Sequence, residues 1–301
     1  MVAMQALPTL RQLQFFLALA RRRSFSKAAE DCLVSQSTLS AAMKELEAIL
    51  QRQLIDRSTR SFALTPAGED VVGRAAQIVT LAEEMTAAVA TREPLDGAFD
   101  LGVIPTVAPF LVPKAATRLK KAYPRLELYL REELTEILIE RLQIGALDAA
   151  LLATPYDAPG IDFEDVGADP FWYAGPSDDP LTEKDAVSLS DLRKTRLLLL
   201  EDGHCLRDHA IEACKLRAAD AAAAYGATSL LTLAQMVRAG LGATLLPQMA
   251  VQAGFAKSNG VKAVPLGPPA PARRIGVAWR RGSGRAEEAR ALAAVFRDVL
   301  D

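Results

Sequence analysis

The sequence predicts an α/β protein in three consecutive parts: a helical head over residues 1–64, a long linker helix over 65–93, and a layered α/β body over 94–301. Three observations carry this. The head has apolar residues at helical spacing, as in Leu13, Phe16, Leu17 and Ala20. After Gly97 the pattern changes to short apolar runs alternating with amphipathic stretches, the signature of a layered α/β fold. The charge is also split: the formal net charge of -2 hides a basic head, with 9 Lys+Arg against 5 Asp+Glu up to Leu64, on an acidic remainder. A basic module on an acidic body suits a nucleic-acid reader joined to a domain that avoids nucleic acid. The chain is 50% hydrophobic and 24% charged, as in soluble globular proteins. The sequence shows no membrane-length apolar run and no ordered signal-peptide regions, so a cytoplasmic address is expected, without membrane association. A stable structural disulfide is unusual there.

The head reads as a helix-turn-helix. A first helix covers Leu10–Ala20, and Ser24 opens a second over Lys27–Asp31 with Ala28 and Ala29 small enough for close contact. After Cys32-Leu33-Val34, Ser35 caps a third helix running through Met43, Leu46 and Leu50. Ser35, Gln36, Thr38 and Ser40 lie at the start of this helix, where hydroxyls and amides reach base edges and phosphates of double-stranded DNA. Leu54–Asp56 and Ser61–Thr65 form a small hairpin with Arg57 and Arg60 near its tip, a wing placed for backbone or minor groove. Cys32 reads as a small buried hydrophobe.

The stretch FSKAAEDCLVSQSTLSAAMKELEAIL, followed by LIDRSTRSFALTPAG, resembles the winged helix-turn-helix of the LysR-type transcriptional regulators in order and spacing. One departure is Ser37, where the family commonly has proline to pre-set the first helical turn. A tuned helix start is expected there, with binding kept. Thr65-Pro66 starts the linker helix, and Val71, Ala75, Ile78, Ala82, Met85 and Val89 recur at steps of four and three, a heptad seam. Packing on the head would use the same stripe. The resemblance favours a homo-oligomer paired through this helix, with a dimer of dimers (a homotetramer) implied.

In the body, strands are expected at Leu101–Ile104, Leu126–Leu130, Ala149–Ala153, Phe171–Ala174, Leu197–Leu200, Ala243–Leu246, Val261–Leu266 and Ile275–Trp279, in a mainly parallel arrangement. Gly167–Pro170 and Gly267–Pro271 look like two crossover strands. They divide the body into subdomain I (97–168 and 272–301) and subdomain II (169–271), the periplasmic-binding-protein-like effector domain that the resemblance implies. Loops after strand C-termini then line the cleft. Thr106, Thr135 and His204-Cys205 fall at three such junctions, beside free helix N-terminal amides. Plain N-capping is the simpler role for either threonine taken alone.

Residues Gly203–Cys214 hold both histidines and two of the three cysteines. Asp202 is a candidate cap for a helix whose first turn carries Cys205, where the helix dipole, Arg207 and a cationic His204 would favour a thiolate. Cys214 lies among Ile211, Ala213 and Leu216 and is expected to be buried and inert. Nine residues of helix advance roughly 13–14 Å, and a disulfide needs Cα atoms within about 7 Å. Bridging the two cysteines therefore requires the helix to unwind. A zinc site from His204, Cys205, His209 and Cys214 is the second reading, with spacing that fits no common framework. Two inert core cysteines are the third.

Here the resemblance narrows. LLLLEDGHCLRDHAIEAC, with VIPTVAPFLVP and Ala227-Thr228-Ser229-Leu230, is similar to the hydrogen-peroxide-sensing branch of the LysR-type family over essentially the whole chain. That resemblance implies that Cys205 is the peroxidatic thiol and Cys214 its resolving partner. It puts Thr106, Thr135, His204 and Arg273 at the peroxide. It implies a transcriptional activator rather than an enzyme, with RNA polymerase as a further partner and no metal or cofactor. A family member answering to a small-molecule effector, with incidental cysteines, is the alternative. His209 receives no role.

Overall fold

A computed structural model describes residues 6–56, 62–88, 93–154, 156, 158–216 and 226–300. Its contacts divide the chain into Met1–Arg92 with Gln143–Ala146, and Glu93–Leu142 with Leu147–Asp301.

The first unit opens with α1 (Leu10–Arg22), α2 (Phe25–Asp31) and α3 (Gln36–Leu50). Each starts on a hydroxyl cap: Thr9 in a capping box with Gln12, Ser24 to the Lys27 amide, and Ser35 to the Thr38 amide. Leu13, Phe16, Leu19, Leu39, Met43 and Leu46 form the core, with Ala28 and Ala29 enclosed between helices. The wing is a two-strand hairpin, β1 (Ile55–Asp56) and β2 (Ala63–Leu64), paired Ile55 to Leu64. Thr65 donates to the Gln53 carbonyl at 2.7 Å and accepts from the Gly68 amide at 3.1 Å, starting α4 (Pro66–Ala88). Gly68 is required there, because a Cβ would stand 2.2 Å from the Leu54 carbonyl oxygen.

The second unit runs β3 (Gly97–Val103), α5 (Ala108–Ala122), β4 (Leu126–Glu132), α6 (Thr135–Gln143), β5 (Ala149–Thr154) and β6 (Ile161–Gly175). Then come α7 (Leu189–Leu192), α8 (Cys205–Ala213), α9 (Leu230–Arg238), β7 (Thr244–Pro247), α10 (Gln248–Gln252), α11 (Phe255–Ser258), β8 (Lys262–Pro265), β9 (Ala272–Arg280) and α12 (Ala286–Leu300). The strand order is β4-β3-β5-β9-β6-β7, with β8 also on β6. Long β6 is the spine: Ile161–Pro170 pairs with β9 in one lobe, and Phe171–Gly175 pairs with β7 and β8 in the other.

Three expectations are corrected. The sheet is not mainly parallel: β3 pairs parallel with β4 and β5, but β5–β9, β6–β9, β6–β7 and β6–β8 are antiparallel, because β6 carries the chain between lobes and β9 brings it back. Gly167–Pro170 lies inside β6, whereas Gly267–Pro271 is irregular and the return strand starts at Ala272. Pro268, Pro269 and Pro271 lack the amide proton a ladder needs. Leu197–Leu200 is buried and, among the described residues, makes only single bridges, Leu197 to Ala243 and Leu200 to Ala227. Among the described residues no helix is long and apolar enough to cross a membrane.

Candidate functional site: a thiol beside a one-water cavity

Three junctions converge between the lobes. Ile104, Pro105 and Thr106 connect β3 to α5; Leu134 and Thr135 lead into α6; Gly203, His204 and Cys205 lead into α8. These residues, with Leu206, line a cavity of about 10 Å³. That volume is on the scale of a single water, whereas small-molecule sites usually measure roughly 300–1,000 Å³. Cys205 is half-buried and free, the first residue of α8.

The two threonines present their hydroxyls differently. Thr106 Oγ1 accepts from Arg273 Nη1 at 2.7 Å, and the Thr106 carbonyl accepts from Nη2 at 3.0 Å. Accepting from Arg273 leaves the hydroxyl's own proton to be donated elsewhere. Thr135 is 3% exposed, and its Oγ1 has no hydrogen-bond partner among the described residues. A buried hydroxyl left unsatisfied costs roughly 1–3 kcal/mol, and the penalty is relieved by a polar ligand. Arg273 itself is held by Asp169, Nε to Oδ2 at 2.9 Å, with both side chains buried.

His204 takes the N-cap position of α8 without a side-chain cap. Its burial pushes the imidazole pKa down, against a smaller opposing pull from the Glu201 carboxylate. Burial therefore works against the cationic form that would have favoured a thiolate. Asp202 does not cap α8 either; it pairs with Arg207 at 2.9 Å, and Arg207 also donates to the Leu200 carbonyl at 3.4 Å. Cys214 closes the far end of α8, fully buried, and burial pushes its thiol pKa up to about 12. His209 is buried in the middle of the helix. Among the described residues, no group of three or more His, Cys, Asp or Glu side chains could hold a metal ion.

Residues 10–69 match the bacterial regulatory helix-turn-helix protein, lysR family, and residues 92–301 match the LysR substrate binding domain. The chain belongs to the LysR family. It is 40% identical over 298 residues to a probable hydrogen peroxide-inducible genes activator of Streptomyces viridosporus, covering 97% of this chain and 95% of that one. It resembles a full-length OxyR variant from Pseudomonas aeruginosa with a TM-score of 0.82 at 33% identity, covering 97% and 98% of the two chains. It also resembles an H₂O₂-bound cysteine-to-serine mutant of Corynebacterium glutamicum OxyR, with a TM-score of 0.66 at 34% identity over 98% and 94%.

In the head of this LysR-family chain, Ser35, Gln36 and Thr38 are exposed and Ser40 is half-buried. Ser35 Oγ lies 2.8 Å from both Ser37 Oγ and Thr38 Oγ1, so Ser37 joins a run of hydroxyls at the helix start. Gln36 Oε1 accepts from Ser26 at 2.9 Å, which leaves its amide protons for other acceptors. Arg57, Arg60 and Val89 lie outside the described residues. The heptad stripe divides: Ala75 is buried and Val71 packs on the head core, so neither belongs to an outward seam. Ile78 and Met85 remain exposed, and Leu81, not singled out from sequence, is exposed between them at 55%. The site residue that sequence reasoning missed is Asp169, which no local motif marks; its partner Arg273 is 104 positions away.

Proposed function

We propose that this regulator senses hydrogen peroxide at Cys205 and converts the signal into a Cys205–Cys214 disulfide. The observation that carries this is the cavity itself. A half-buried thiol adjoins a space for one very small molecule, with an unsatisfied Thr135 hydroxyl and a Thr106 hydroxyl left as donor in its walls. The alternative, a larger metabolite effector, finds no comparable room at these residues.

The chemistry runs in two balanced steps. The Cys205 thiolate attacks one peroxide oxygen; an S–O bond forms, the O–O bond breaks, and the departing hydroxide takes a proton to leave as water. Hydroxyl donors aimed at that oxygen stabilise its developing charge. Sulfur is oxidised to a sulfenic acid, a reversible state. The Cys214 thiol then displaces the sulfenic oxygen, forming an S–S bond and a second water. Because α8 holds the two cysteines at its opposite ends, the second step unwinds the helix. That rearrangement changes how the effector domains pair in a dimer of dimers, through the Ile78, Leu81 and Met85 face of α4, and moves the heads on promoter DNA. Activation through RNA polymerase follows, with Ser35, Gln36, Thr38 and Ser40 reading the operator and Arg57 and Arg60 on the wing.

The test is mass spectrometry of the reduced protein after roughly one equivalent of H₂O₂, where disulfide formation removes about two daltons. We expect that loss on a Cys205–Cys214 peptide, and no oxidation of Cys214 in Cys205→Ser while DNA binding persists. Unmodified cysteines in the native chain would remove the peroxide reading and favour a metabolite effector.

A further inference from the structure

Asp169 lies directly opposite Arg273 across the β6–β9 ladder, where the chain passes between the lobes. Both side chains are buried, Asp169 at 1% exposure and Arg273 at 0%. Each oxygen of Asp169 has one job: Oδ2 accepts from Arg273 Nε at 2.9 Å, and Oδ1 accepts from the Met249 amide at 3.0 Å, at the start of α10. The guanidinium is planar, so fixing Nε fixes where both terminal nitrogens point. They point at Thr106, one at its hydroxyl and one at its carbonyl. Thr106 stands in one lobe and Met249 in the other, so one buried charge pair grips both sides of the cleft.

We propose that Asp169 is a positioning residue of the peroxide site: acting through Arg273, it compels the Thr106 hydroxyl to accept from the arginine and so to donate into the cavity beside Cys205. This rests on the peroxide reading above. The guanidinium could otherwise turn about its own Cδ–Nε bond and leave Thr106 free to rotate, with its proton no longer directed at the leaving oxygen. The same carboxylate ties this setting to α10, so relative movement of the lobes changes the aim of Thr106.

The experiment compares two reactions of Cys205 in the full-length reduced protein: oxidation by H₂O₂ and alkylation by iodoacetamide. Iodoacetamide needs an accessible thiolate but no hydroxyl aimed at a peroxide oxygen. In Asp169→Asn, one carbonyl oxygen must serve two donors, and its amide opposes one of them. We expect the peroxide rate to fall on the order of tenfold to a hundredfold, the scale of a mispositioned or lost donor, with alkylation unchanged. Thr106→Val should show the same selective loss, and adding Asp169→Asn to it should lower the rate no further. Asp169→Glu keeps the buried charge that holds the fold and displaces the guanidinium by a methylene, so it should also lose peroxide rate selectively. A native peroxide rate in Asp169→Asn or Asp169→Glu overturns the proposal. So does a parallel fall in both reactions, or additive losses in the double variant. A native chain that peroxide does not oxidise at all removes the peroxide reading instead, and the two failures are thereby told apart.

Discussion

Cys205 and Cys214 are the two ends of one short helix, and they sit in opposite chemical surroundings. Cys205 opens α8, half-buried, against a small cavity into whose largely apolar wall of Ile104, Pro105, Leu134 and Leu206 the residues Thr106, Thr135 and His204 bring polar groups. Cys214 closes it at 0% exposure inside the apolar core, with its thiol pushed to about 12 by burial. The residue type and the helix are the same, yet one thiol borders a cavity and the other is closed off in the core. A switch needs both conditions: a resolving thiol as available as the first would compete for the oxidant, and would be oxidised without moving anything. The largest test of this contrast is alkylation of the native protein at pH 8. A thiol of pKa about 12 is ionised there in about one molecule in 10⁴, so Cys205 should label and Cys214 should not until the chain is unfolded. Comparable labelling of the two by peptide mapping would break the contrast outright.

The alkaline limb of stability sharpens it further. Burial raises the Cys214 pKa from 9.0 to about 12, so between those values the folded chain holds a proton that the unfolded chain has released. The contribution is complete below pH 9 and is lost as pH rises toward 12, at about 1.4 kcal/mol per pH unit and about 4 kcal/mol in total. Denaturant midpoints measured across that range should fall in the native protein and fall less in Cys214→Ala. Equal slopes would mean that Cys214 is not held in the core as a neutral thiol.

How much of this contrast is legible in sequence follows from the range of the interactions involved. Local chemistry can be read: Ser35 as a cap, Thr65-Pro66 as a helix start, Cys205 in a first turn, Cys214 among apolar neighbours. The first half of β6 cannot. Ile161-Asp162-Phe163-Glu164 alternates, but Asp165 breaks the period where the ladder is irregular between Asp165 and Gly167, and the strand is held by its pairing with β9, more than a hundred positions away. In sequence, Arg207 and His204 both look able to support a thiolate as cations; the fold turns one toward Asp202 and buries the other, which disfavours its charged form. The heptad stripe is visible but not its division, because Val71 and Ala75 suit a head core as well as a partner helix. Asp169 is invisible for the same reason as β6: its meaning comes from the residue opposite it in a ladder, not from its neighbours in sequence.

The smallest effect separates the two ends by their packing. Serine is nearly the size of cysteine but carries a hydroxyl that must be hydrogen-bonded when buried. At Cys205, half-buried and beside a cavity with hydroxyls in its wall, Cys205→Ser should change stability in a urea titration by roughly 0.5 kcal/mol or less. At Cys214 the hydroxyl enters an apolar core, where an unsatisfied polar group costs roughly 1–3 kcal/mol. The helix offers partial relief: the Cys214 amide already bonds the Ala210 carbonyl, and a serine hydroxyl in an αR conformation can share that acceptor. The expected cost of Cys214→Ser therefore lies toward the low end of the range, with an unchanged denaturant slope. A Cys205→Ser cost as large as that at Cys214 would show that the first cysteine is a packed core residue too, and the division of labour along α8 would lose its physical basis.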